Sequence, residues 1–135
     1  MVSLISIYLG GILTLIIALY HSQLYKMLNW SEEFEKIENA NRKILYTIHL
    51  ALTILFFIIG IVTIFYASEL SKSTGLAFGI NLSLACFWVW RIFWQLTYQK
   101  KEKGRKTTPT DYVKIVVPLM LAVSYLLPII TTTNL

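Results

Sequence analysis

Cysteine, histidine and acidic residues are scarce in this chain, and each shortage removes a class of chemistry. Its one cysteine, Cys86, sits in an apolar run. Neither a disulfide framework nor a thiolate metal cluster can then form within one chain, and a small core residue is the expected role. Two histidines, His21 and His49, limit imidazole chemistry to a single pair. Asp and Glu together number 7, and none falls in the core of an apolar run. Paired-carboxylate catalysis inside the protein is thereby excluded, and a proton relay lacks its usual acid. Gly-rich phosphate loops are missing, as is any Ser–His–acid set with a convincing third member. Charged residues make up only 14% of the chain, against ~25% in a typical soluble domain.

Hydrophobic residues, by contrast, are 56% of the 135 positions. A membrane-spanning helix needs ~20 mostly apolar residues, and four such runs fill the chain. They cover 4–22, 44–66, 76–98 and 112–130. The first lacks a basic leader and a small-residue cleavage site, so it reads as a retained span. Pro118 and Pro128 lie inside the fourth, a placement tolerated where neighbouring helices satisfy the freed carbonyls. The expected fold is an all-α membrane protein, a single antiparallel four-transmembrane-helix bundle over 1–135. A short cytoplasmic interfacial helix should lie between spans one and two. Ser31, followed by Glu32 and Glu33, has the chemistry of a helix start there, with Trp30, Phe34 and Ile37 on one side.

Short connections make successive spans antiparallel, so segments 23–43 and 99–111 share one face. Lys26, Lys36, Arg42, Lys43, Lys100, Lys101, Lys103, Arg105 and Lys106 fall there, and only Lys72 falls on the other. By the positive-inside rule both termini lie outside the cytoplasm, as in a multi-pass protein of a bacterial inner membrane. The basic loop 99–111 is expected to meet anionic lipid headgroups, each charge contributing ~1 kcal/mol near the surface. A juxtamembrane position explains the net charge of +5 without nucleic acid.

Several polar residues remain where lipid should exclude them. Arg91 lies about 10 Å inside the cytoplasmic end of span three at 1.5 Å per residue. His49 sits at similar depth in span two, and His21 in the last turn of span one. Along span two, Arg42, Tyr46, His49, Thr53, Phe56, Gly60 and Thr63 recur at spacings of three and four, which places them on one helix face. Gly10, Thr14, Ala18 and His21 do the same on span one; Trp88, Arg91, Gln95 and Tyr98 do so on span three, with Trp94 alongside. The three faces are expected to converge on a polar pocket whose ligand-binding residues are His21, His49, Arg91, Gln95, Tyr46 and Trp94. Three readings compete. The first is a non-enzymatic accessory or assembly component, partnered by another membrane subunit or a second copy. Another is a haem b or anion site, with His21 and His49 as metal ligands and Arg91 meeting a propionate or phosphate. Snorkelling to lipid explains Arg91 equally well.

His21, Asn29–Trp30, Glu33, Asn41–Arg42, His49 and the run Phe87–Trp88–Val89–Trp90–Arg91 with Gln95 resemble a pattern in small bacterial four-span membrane proteins of unknown function. The resemblance covers most of 20–98 and implies a fold but no activity. The glutathione- and eicosanoid-handling MAPEG enzymes are also four-span chains near this length, and a small enzyme of that type is the third reading. Their Arg, Asn and Glu series near the start of span two is not matched here. Glu38, Asn41 and Arg42 stand in a different order, and span two has no glutamate.

Overall fold

The computed structural model describes residues 1–98 and 108–133. Among these residues the elements are α1 (Val2–Met27), α2 (Trp30–Glu35), α3 (Asn39–Phe65), α4 (Ala67–Lys72), α5 (Leu76–Thr97) and α6 (Pro109–Thr133). Four of them, α1, α3, α5 and α6, are long and apolar enough to cross a membrane. Helices α1, α3 and α6 overrun their apolar runs because backbone hydrogen bonding does not stop where hydrophobicity does: α3 begins at Asn39, ahead of Ile44.

Two connections differ from expectation. Helix α2 does form, but Asn29, with φ 50° and ψ 39°, starts it. Ser31 lies inside the helix and donates its hydroxyl to Asn29 Oδ1, so it is not the cap. The segment after α3, which reads as a turn, is the helix α4, wedged against α1, α3, α5 and α6. Its Ala67 and Leu70 are buried, three residues apart and hence on one face.

Helix α1 is the hub. Ser6, Ile7, Gly10, Gly11, Thr14 and Ala18 are all buried, a stripe at helical spacing that meets α3 on one flank and α6 on the other. Small residues permit this approach. A Cβ placed on Gly60 would lie 2.7 Å from Leu15 Cγ and 3.1 Å from the Leu15 backbone nitrogen. At the same junction the fully buried Tyr125 of α6 sets its hydroxyl 3.4 Å from Thr14 Oγ1 and 3.3 Å from Thr63 Oγ1. Helix α5 sits differently, since its long-helix neighbour is α6 and no Cα of α5 comes within 8 Å of one on α3 among the described residues. Cys86 is exposed rather than a core residue. It opens on a shallow recess beside Val89, Trp90 and Leu126. On a spanning helix the outer side is as apolar as the inner one, so an apolar run does not distinguish them.

Gly60→Leu is expected to force α1 and α3 apart and lower the unfolding midpoint in micelles by more than the removal of any single hydroxyl here. Tyr125→Phe combined with Thr63→Val in a double-mutant cycle should show a coupling of about 0.6 kcal/mol, the usual size for a hydrogen bond between membrane helices. A Gly60→Leu protein as stable as the parent would contradict the packing described.

Candidate functional site

The end of the molecule where α1 finishes and α3 begins carries Lys26, Lys36, Arg42 and Lys43. There α1 contributes His21 and α3 contributes His49 from helical stripes that face each other. The two rings stack with centroids 4.6 Å apart and planes 21° from parallel. Thr53, one turn from His49, orders the pair. Its hydroxyl donates to the His49 carbonyl at 2.8 Å and lies 2.9 Å from His21 Nδ1. One hydroxyl carries one proton. Because that proton goes to the carbonyl, the oxygen must accept from His21, which assigns the proton of the neutral ring to Nδ1 and leaves Nε2 as the acceptor.

Aromatic rings close the pair in from both sides. Trp30 meets His49 edge-on at 4.9 Å, and Phe56 meets His21 edge-on at 5.7 Å. Phe56 in turn stacks on Trp88 of α5 at 6.0 Å and approaches Phe87 at 6.3 Å. From there the contacts continue along α5 through Trp90 and Trp94 to Tyr98. A continuous file of rings thus runs from α2 to the last turn of α5. It links α3 to α5 where their backbones stand apart.

The residues expected in one pocket fall into separate groups. His21 and His49 meet. Tyr46 is 41% exposed and belongs to a ring cluster with Tyr25 at 4.9 Å and Phe34 at 5.5 Å. Arg91 Nη1 donates to Gln95 Oε1 at 3.1 Å, an i,i+4 contact along α5. Trp94 lies between Trp90 and Tyr98 on the outer side of that helix. Glu33 pairs with Lys36 at 2.8 Å. Arg42 donates to the Ile37 carbonyl at 3.5 Å, and its Nε is buried with no partner. The basic positions Lys100, Lys101, Lys103, Arg105 and Lys106 lie outside the described residues.

The histidine pair does not fit a haem. Two imidazoles bound across one iron, each nitrogen ~2.0 Å from the metal, hold their ring centroids about 6 Å apart. Here they stand at 4.6 Å, with His21 Nδ1 engaged by Thr53. No third His, Cys, Asp or Glu joins them to hold a metal ion among the described residues.

At the opposite end the structure has a feature that sequence reasoning missed. A groove of about 730 Å³ separates α3 from α5 beneath α4, with Ile58, Val62, Ile80 and Leu84 along its length and Tyr66, Glu69, Lys72 and Thr74 among its lining. The signal was the polar quartet itself, set between two long apolar runs and passed over as a turn.

In ¹⁵N spectra of labelled protein, His21 is expected to show the Nδ1-protonated tautomer. Thr53→Val should shift it toward the Nε2–H form and leave the helix content unchanged. An Nε2–H tautomer in the parent protein would contradict the hydrogen-bond assignment. Compared with known proteins, the chain matches no family model, no curated protein and no solved structure.

Proposed function

We propose that this chain is a non-enzymatic integral membrane protein, an accessory or assembly component built as an antiparallel bundle of four spans. The setting proposed is a bacterial inner membrane, with both termini outside the cytoplasm. Contact order supports the antiparallel arrangement: Gly11 adjoins Thr63 while His21 adjoins Thr53, and Ser3 bonds Thr131 while Gly10 adjoins Ser124. The orientation rests on the basic residues of segments 23–43 and 99–111, and the bilayer is the partner that the apolar outer surface requires.

One observation carries the non-enzymatic reading. Several polar side chains within the long helices are engaged with their own chain. Tyr125 lies against Thr14 and Thr63, and His21 meets Thr53 through Nδ1. Asn81 bonds Leu70, and Arg91 bonds Gln95. Catalysis needs groups directed at a reacting atom with their hydrogen-bonding capacity free for it, whereas these groups are bonded within or between the helices. The assembly part of the reading rests on α5. Its Trp90 is 50% exposed and its Phe93 63% exposed, so this aromatic side is open to another membrane-spanning subunit.

A second reading is favoured at Arg91 alone. Among the described residues its guanidinium has an amide oxygen as its hydrogen-bond acceptor and no carboxylate, which suits a lipid phosphate or a bound anion at the basic end.

A photo-crosslinking residue in place of Phe93 tests assembly in the native membrane. A discrete protein adduct, with another subunit or with a second copy, is the expected outcome; adducts with lipid alone would remove the assembly reading. For topology, an export-dependent reporter fused at Leu135 should be active and one placed within 100–106 inactive. Reversal of those activities would overturn the orientation.

A further inference from the structure

The groove between α3 and α5 is a half-open cleft. Their backbones stay apart along its whole length. At its inner end the gap is stopped by Phe56 against Trp88 and Phe87. At its outer end it is roofed by α4. From Phe56 to Tyr66 is ten residues, or about 15 Å at 1.5 Å per residue. One leaflet of a bilayer has a hydrocarbon depth of about 15 Å, half of the ~30 Å core. The groove therefore spans one leaflet, from headgroup level to near the midplane, and its walls are the side chains of Ile58, Val62, Ile80 and Leu84.

The roof is firmly held. Asn81 is fully buried and donates through Nδ2 to the Leu70 carbonyl at 2.8 Å and to Ser73 Oγ at 3.3 Å. Ser73 takes a left-handed conformation, φ 47°, to end α4, and Thr132 donates to the Lys72 carbonyl at 3.1 Å. A lip fixed from both α5 and α6 loses little freedom when a ligand docks. Glu69 and Lys72 sit on that lip at i and i+3, facing the groove. The ion pair observed among the described residues is Lys36–Glu33, so Glu69 and Lys72 do not neutralise each other.

We propose that this groove holds one acyl chain of a phospholipid whose headgroup is an aminoethyl phosphate, with Lys72 meeting the phosphate and Glu69 the ammonium. Charge decides between headgroups. A purely anionic headgroup would be drawn to Lys72 but repelled by Glu69, while a zwitterion with an ammonium beyond its phosphate is complementary to both. Tyr66 and Thr74 at the same level add hydroxyls for the phosphate and ester oxygens.

The proposal rests on the membrane-spanning reading, and the test separates the two. Full-length protein is purified in detergent, and its melting temperature is measured with added phosphatidylethanolamine or phosphatidylglycerol of the same acyl chains. Phosphatidylethanolamine is expected to raise the midpoint by several degrees and phosphatidylglycerol by clearly less. Ala77→Phe, which fills the groove, should abolish the difference between the two lipids. Glu69→Gln, on the exposed lip and harmless to the fold, should narrow or reverse the preference while Lys72→Gln weakens both responses. Equal shifts from the two lipids, or an undiminished preference in Glu69→Gln, would overturn the proposal. Recovery of the protein from cells in detergent-free buffer would instead overturn the membrane reading on which it rests.

Discussion

Three helices converge on the hydroxyl of Tyr125. It can approach Thr14 and Thr63 together only because Gly11 and Gly60 bring α3 close against α1, and Gly10 brings α6 close against α1. In hydrocarbon no hydrophobic force drives helices together, so close packing and internal hydrogen bonds must do so. The close approach of α1 to its two neighbours is thus the constraint from which the rest of the arrangement follows. It sets the separation at which His21 can stack on His49 further along the same interface. It also positions Ser3 to reach Thr131 near the other end.

Helix α5 obeys a different rule. It joins α6 by packing, but it reaches α3 only through side chains, with Phe56 spanning the interval to Phe87 and Trp88. Large rings hold helices at a distance where small residues draw them together. The structure uses small residues on the α1 side and rings on the α5 side. The groove beneath α4 is the space left by this choice. The histidines belong to the same pattern: flanked by Trp30 and Phe56, they act as two more rings in the file, oriented by Thr53.

Much of this was legible in the sequence. The four spans follow from the length of the apolar runs. The inward stripes of α1 and α3 follow from helical periodicity in small and polar residues, with Thr53, Phe56, Gly60 and Thr63 buried as expected. Short-range chemistry was less readable. Ser31 has the composition of a cap, but the left-handed Asn29 provides the turn. Periodicity assigns faces to helices without saying which helices are neighbours. The stripe on α5 therefore suggested that Arg91 would join the histidines, whereas α5 packs mainly on α6 and Arg91 turns to Gln95. Cys86 misleads for a related reason, since hydropathy carries no inside–outside signal in a helix surrounded by lipid. Helix α4 went unread because six residues are too few to show a period.

Asn81 has one further consequence, for the way the chain enters the membrane. An amide on an apolar helix has no partner in hydrocarbon, and leaving it unbonded costs several kcal/mol. Here the acceptor is the Leu70 carbonyl, eleven residues upstream on α4, and so already synthesised when α5 leaves the ribosome. Inserted together, α4 and α5 carry an amide whose Nδ2 is already bonded; inserted apart, α5 carries one with that donor bare. The order of the elements along the chain is in this sense an instruction for assembly, written in the distance between one side chain and one carbonyl.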